Sequence, residues 1–255
     1  MKRITKIIAL LLLLALTVGA LSSCALDTDK LLDAIEEISG ADPLPKDTEL
    51  VEIANKITPT VVKSCIRIEA TYISSVAQGS GVIYNRLGDT YFALTNNHVI
   101  NKNGGRLRCY VYDVYGESYQ ANVVVSSEAC DLAIVSFVSK TEYEVADFAK
   151  DAPVRGDTVF SIGSPNGLHN LATYGALIDS INLEEDSLAF EVFAHNAITD
   201  NGSSGGGLFN AKGELVGINY AGAETEDELQ KYSFAIPMTN VLDFLISSGY
   251  MKTTQ

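Results

Sequence analysis

From about residue 56 the chain settles into short runs in which apolar and polar positions alternate. VVKSCIRIEATYI, GVIYN, YFALTNN, RLRCYVYDVY, YQANVVVSS and DLAIVSFVS are rich in β-branched and aromatic residues, which suit a pleated, half-buried surface. Asn85-Arg86-Leu87-Gly88-Asp89 and Tyr115-Gly116-Glu117 separate these runs with turn chemistry. A second group follows the linker-like stretch Thr141 to Asp151. It comprises DTVFSIGSP, ATYGALIDSI, SLAFEVFAH, LFN, ELVGINYA and YSFAIP, with a hairpin turn at Asn210-Ala211-Lys212-Gly213. No helix-length pattern lies between successive strands, so the pairing is antiparallel rather than βαβ. The pattern predicts an all-β fold of two antiparallel β-barrels, because closure removes the edges that many short strands would expose. A C-terminal α-helix follows. Leu242, Leu245 and Ile246 share its apolar face, Thr239 or Asn240 can cap it, and Gly249 ends it.

Ahead of the strands the pattern differs. Lys2, Arg3 and Lys6 precede an apolar run from Ile7 to Leu21. That run is about 15 residues, the length of a secretory leader and short of a spanning helix. It ends in Leu21-Ser22-Ser23-Cys24, which resembles a bacterial lipobox. An ordinary cleaved leader or a short anchor shares the apolar run; the cysteine favours a lipoprotein. Residues 1–23 are then the signal peptide, Cys24 carries the lipid, and the chain faces the extracytoplasmic side of a bacterial cell membrane. Residues 24–50 read as a tether. Leu31, Leu32, Ile35 and Ile38 fit one helical face among acids, although a partly ordered spacer fits as well. The folded domain spans 51–255.

Charge narrows the partners. The chain carries a net −14, and loss of the three basic leader residues takes it to about −17. Nothing in that balance suits a nucleic-acid backbone. Of four cysteines, lipidation of Cys24 would leave Cys65, Cys109 and Cys130, enough for one disulfide at most. No CxxC pair is present, so no metal site is indicated.

The stretch Thr199 to Asn210, TDNGSSGGGLFN, crowds Gly202, Gly205, Gly206 and Gly207 around two serines. Glycine at that density disfavours helix and regular strand and permits a sharp loop whose N–H groups converge. A serine in such a loop can supply a nucleophilic hydroxyl beside backbone donors for an oxyanion. Taken alone, the stretch is equally a flexible Gly/Ser turn. A nucleophile needs a base and an orienting acid. Three histidines are available: His98 at the end of a strong strand, His169 in a Gly/Asn loop, and His195 near a strand end. Asp131 heads the apolar run LAIV, where an unpaired carboxylate is costly and an imidazole N–H is a suitable partner. GSSGG also fits the G-x-S-x-G pattern of α/β-hydrolases, which require a histidine after the serine; none follows Ser204. The order His98, Asp131, Ser204 is that of chymotrypsin.

Several motifs now stand in a familiar order. Gly79-Ser80-Gly81-Val82-Ile83, TNNHVI around His98, DLAIV from Asp131, SIGSPNGL followed by Thr173, Gly175 and Ser180, GSSGGGL around Ser204, and FAIP at Phe234–Pro237 together resemble the protease domain of the HtrA/Deg family of bacterial serine proteases. The resemblance covers about residues 55 to 250. It implies a chymotrypsin-like double barrel, a serine endopeptidase acting on proteins or peptides, and no cofactor. It implies His98, Asp131 and Ser204 as the triad, and the N–H groups of Gly202 and Ser204 as the oxyanion hole. It implies Gly217, Ile218, Asn219 and Tyr220 as the strand that pairs with substrate, and a trimer as the homo-oligomer to look for. Ser203 stands where the family has asparagine, and Gly207 where it has proline. Ile198, six residues before the nucleophile, implies a pocket for small or medium aliphatic side chains; the spacing from Ile198 to Gly202 leaves Asp200 as a second occupant of that floor. The chain ends soon after its last helix, so the expectation is a form lacking the family's PDZ module. A catalytically idle protease fold serving as a binding or sensor lipoprotein is the alternative. A solute-binding lipoprotein would show alternating strands and helices.

Overall fold

A computed structural model describes residue 35 and residues 50–73, 75–101, 108–185, 188–224 and 231–251. The expected signal peptide, Cys24 and nearly all of the expected tether lie outside the described residues. So does the stretch 225–230, whose flanking residues Glu224 and Lys231 form an ion pair.

Twelve strands form the two closed barrels that the alternation predicts. The first holds β1 (Cys65–Thr71), β2 (Val76–Leu87), β3 (Thr90–Asn96), β4 (Arg108–Tyr112), β5 (Ser118–Ser127) and β6 (Leu132–Val138). The second holds β7 (Thr158–Gly163), β8 (Leu171–Glu185), β9 (Leu188–His195), β10 (Gly207–Asn210), β11 (Leu215–Glu224) and β12 (Lys231–Pro237). Their neighbour orders, β1-β2-β3-β6-β5-β4 and β7-β8-β9-β12-β11-β10, are one topology used twice, and all pairs are antiparallel. The turns fall where the sequence puts them. Gly88 and Gly116 take positive φ, Asp113 Oδ1 accepts the N–H groups of Tyr115 and Glu117, and Asn210 Oδ1 accepts those of Lys212 and Glu214.

Packing explains why LAIV reads as an unbroken apolar run. Ala133, Val135 and Phe137 of β6 fill the first barrel beside Ile66, Ile83 and Val111. Leu132 and Ile134, on the opposite face, join a cluster with Phe160, Phe209, Ile218 and Phe234 of the second barrel. A strand buried on both faces has no polar side to alternate with. A separate cluster fed by all six strands, including Leu177, Phe193 and Leu208, fills the second barrel.

Helices differ from expectation in detail. Helix α1 (Leu50–Val61) and a 3₁₀ turn at Val62–Ser64 occupy what reads as the start of the first strand, which begins only at Cys65. Ile57 and Val61 bury themselves against the β10–β11 turn at Gly213, so a tertiary contact overrides the β-branched local preference. The single turn α2 (Asn97–Ile100) follows β3. The last helix, α3 (Met238–Ser247), starts one residue before Thr239, and neither Thr239 nor Asn240 caps it. Its buried face is Met238, Val241, Phe244 and Leu245, with Ile246 turned outward, and Gly249 closes it at φ 79°. No described helix is long and apolar enough to cross a membrane. The three described cysteines are free thiols. Burial pushes Cys65 and Cys109 up to about 12.

Candidate active site

His98 sits on α2, whose neighbours Val99 and Ile100 are buried in the first barrel; their anchorage leaves the imidazole half-exposed. Asp131 occupies the turn before β6 with φ 48°, a conformation that aspartate tolerates better than most side chains. It is buried, and every acceptor it has is used on the His98 segment. Its backbone carbonyl accepts Asn97 N–H at 3.1 Å and Asn96 Nδ2 at 3.0 Å. Its Oδ1 accepts His98 N–H at 2.8 Å, and its Oδ2 lies 2.6 Å from His98 Nδ1. An ionised carboxylate can only accept, so the proton sits on Nδ1 and Nε2 keeps its lone pair facing away.

The other histidines lie elsewhere. His169 packs edge-on against Tyr112. His195 is fully buried, and burial pushes it down to about 3, against a smaller opposing pull from the Ala197 backbone.

Ser204 comes from the loop between β9 and β10. Its Oγ donates to Tyr220 carbonyl at 3.1 Å, while the Tyr220 ring meets the edge of the His98 ring at 6.1 Å. Serine and histidine thus share Tyr220 as a neighbour, but the serine hydroxyl is directed to a carbonyl and not to the imidazole. Within residues 201–206, the N–H groups of Asn201, Ser203, Gly205 and Gly206 have protein acceptors: Asp200 Oδ1 and the carbonyls of Asp200, Asn219 and Ser203 respectively. Among the described residues, the N–H groups of Gly202 and Ser204 have none.

The two departures in this loop have physical accounts. Ser203 is buried, and its hydroxyl accepts Asp200 N–H at 3.2 Å, closing the turn that asparagine would otherwise fill. A Cβ on Gly207 would stand 2.3 Å from the Phe209 ring; this phenylalanine takes the space that a proline needs.

The strand expected to pair with substrate is itself paired over part of its length. Gly217 and Ile218 pair with β10 on one side and β12 on the other, and Asn219 exchanges bonds with the Gly205–Gly206 backbone. Their backbone is already committed. From Ala221 onward, past a bulge at Tyr220, β11 pairs with β12 alone. Ile198 is 55% exposed. Asp200 faces out, its carboxylate held below its ordinary range by Asn201 N–H and the Asn166 amide. Thr199, between them, turns inward: its N–H and Oγ1 both meet Ser233 Oγ of β12, at 3.0 and 2.9 Å, and its Oγ1 faces Gly222. Thr199 becomes a candidate beside Ile198 and Asp200, and strand register, not spacing, brings it to Ser233.

The Trypsin-like peptidase domain family matches residues 79–218, just over half of the chain. The chain belongs to this family. As a trypsin-like peptidase domain it is similar to "Serine protease Do-like HtrA" of Bacillus subtilis (strain 168), at 32% identity over 68% of this chain and 40% of the relative. It is 31% identical to the "Probable periplasmic serine endoprotease DegP-like" of Buchnera aphidicola subsp. Schizaphis graminum, over 69% of this chain and 37% of the relative. The chain therefore spans about two fifths of the length of these relatives. Among solved structures, the serine endoprotease from Yersinia pestis aligns with a TM-score of 0.59 at 28% identity, over 80% of this chain and 68% of that one. The inactive form of the M. tuberculosis H37Rv protease Rv3671c shares the fold, with a TM-score of 0.66 at 23% identity over 83% of this chain and all of the other.

Proposed function

We infer that this trypsin-like domain is a serine endopeptidase that cleaves proteins or peptides through an acyl-enzyme. The observation that carries the reading is the bidentate grip of Asp131 on His98, which fixes one imidazole tautomer. Ser204 turns from Tyr220 carbonyl toward His98, an exchange of one hydrogen bond for another, worth about 1 kcal/mol either way. Its Oγ attacks the scissile carbonyl carbon as His98 Nε2 takes the proton. The carbonyl oxygen becomes an oxyanion held by Gly202 and Ser204 N–H, the two donors without protein acceptors. Collapse breaks the C–N bond, and His98 returns the proton to the leaving amine. Water then repeats the sequence on the ester and frees Ser204. Asp131 stabilises the imidazolium and stays ionised. Substrate backbone extends β11 from Ala221, and Thr199, Gly222 and Ser233 bound a small pocket.

A fluorophosphonate probe tests this reading. It should label wild-type protein at Ser204, leave Ser204→Ala unlabelled, and leave Ser203→Ala reactive; labelling that survives Ser204→Ala would assign the nucleophile elsewhere. The second reading, an idle protease fold used for binding, is favoured by the Ser204–Tyr220 bond. It predicts no labelling and no peptide hydrolysis.

The leader and lipobox support anchoring through Cys24 on the extracytoplasmic side, in keeping with the word periplasmic in a relative's name. Cys24→Ala protein should leave the membrane fraction; variant that still sediments with washed membranes would refute the anchor. A homo-oligomer, trimeric as in the family, is the assembly proposed.

A further inference from the structure

Ser80 lies in the first barrel, 122 residues from Gly202 in sequence, and its side chain bonds to no side chain of the triad. It is nevertheless bound to the nucleophile loop through two of its atoms, its N–H and its hydroxyl. Its N–H donates to Ser204 carbonyl at 2.8 Å. Its own carbonyl is held by Thr95 Oγ1 at 2.7 Å. Its hydroxyl donates to Gly202 carbonyl at 2.7 Å and accepts Ser164 N–H at 2.8 Å. The direction of that relay is unambiguous, because an amide N–H can only donate and a carbonyl can only accept. The side chain is 1% exposed, so no water competes for these bonds.

The consequence falls on Gly202. In a trans peptide the C=O and N–H point in opposite directions. Asn166 N–H holds Asn201 carbonyl at 2.7 Å, which turns Gly202 N–H the other way. On the far side of the same residue, Ser80 holds Gly202 carbonyl, and Ser203 N–H is held by Asp200 carbonyl at 2.8 Å. Gly202 itself, at φ 100°, is the residue least able to resist rotation. Remove the Ser80 hydroxyl, and the half-buried Gly202 carbonyl and the buried Ser164 N–H lose a partner together. The Gly202–Ser203 peptide then keeps only its Ser203 N–H bond, and the Asn201–Gly202 peptide, which carries Gly202 N–H, keeps only its bond to Asn166 across a permissive glycine.

We propose that Ser80 is a positioning residue for the oxyanion hole: its hydroxyl locks the Gly202 peptide to the first barrel and to the Ser164 segment. The proposal rests on the endopeptidase reading. It sets the hole's geometry from the barrel that also carries His98, so base and oxyanion donors keep one frame of reference.

The test compares wild type, Ser80→Ala and Ser80→Cys in peptide-amide hydrolysis, in affinity for a peptide aldehyde, and in affinity for the product peptide. The aldehyde forms a hemiacetal whose oxygen needs the hole; the product does not. Ser80→Ala should lower kcat by about 10- to 100-fold with KM changed by less than about threefold, since one poorly held donor is lost from the transition state. Aldehyde affinity should fall with kcat, and product affinity should hold. Ser80→Cys keeps the volume with a weaker donor and should fall between the two, which decides the matter if the alanine variant does not fold. A folded Ser80→Ala or Ser80→Cys with wild-type kcat and aldehyde affinity overturns the proposal and leaves the endopeptidase reading standing. Equal losses for aldehyde and product overturn it as well, since they mark a general disturbance. Wild-type protein that neither cleaves peptide nor takes a fluorophosphonate overturns the endopeptidase reading and this one with it.

Discussion

Asp131 is placed by a backbone conformation that few side chains accept, and it repays that strain with four bonds to the histidine segment. Asparagine tolerates the same left-handed turn, so Asp131→Asn should keep the fold. Its amide nitrogen cannot accept from Nδ1, and the wrong tautomer should cost about 10⁴ in kcat. Circular dichroism and peptide hydrolysis on the same preparation check both halves. Asp131→Ala should lose the turn as well and melt earlier. The neighbouring serines separate in the opposite manner. Ser203→Ala removes a side-chain acceptor from Asp200 N–H and should cost about 1 kcal/mol of stability with little loss of turnover. Ser204→Ala should abolish all but a residual rate, a drop on the order of 10⁶.

Strand β10 shows how an element constrains its own sequence. It is four residues long, yet it pairs with β7 and β11 at once. Phe209 turns its ring onto Gly207, where a Cβ would also approach Leu215 Cδ1 at 2.9 Å. Gly207→Pro therefore restores the residue typical of the family and should still destabilise this chain. Overpacking of a closed core costs about 1–3 kcal/mol, which lowers Tm by roughly 2–10 °C in a domain of this size. Adding Phe209→Leu should recover part of the loss. A single Gly207→Pro variant that melts at or above wild type would show that the ring yields without cost.

At the scale of the molecule, the second barrel holds a titratable group in its interior. His195 shares a strand face with Phe193 of that barrel's core and is fully buried. Its folded pKa, about 3, lies below the ordinary 6.5. The unfolded chain therefore binds the proton first as pH falls. The stability that neutral His195 permits is fully present above about pH 6.5 and is lost progressively toward pH 3, by up to about 1.4 kcal/mol per pH unit. Urea unfolding of wild type and His195→Leu across pH 4 to 8 isolates this contribution from the carboxylates. The wild type should lose more stability than the variant on the acid side. Parallel curves would mean that His195 can take a proton without unfolding the barrel.

Two kinds of information separate in this chain. The strands, their antiparallel pairing, the turns at Gly88, Gly116 and Gly213, and the candidates His98, Asp131 and Ser204 were legible in the sequence. Each is written in a few adjacent residues, in side-chain alternation, glycine placement or a short motif. What the sequence could not specify depends on register between distant elements. Thr199 rather than Ile198 or Asp200 faces inward because it meets Ser233, 34 residues away. The open edge begins at Ala221 rather than Gly217 because β10 and the Gly205–Gly206 loop occupy the earlier positions. Helix α1 and the 3₁₀ turn after it hold back the first predicted strand to Cys65 because Ile57 and Val61 find the β10–β11 turn to bury against. Ser80 looks like one small residue between glycines until closure of both barrels brings Gly202 and Ser164 to its hydroxyl. Local preference selects elements at a cost of tenths of a kcal/mol per residue. Burial and orphaned hydrogen bonds, at one to several kcal/mol each, decide how the elements meet.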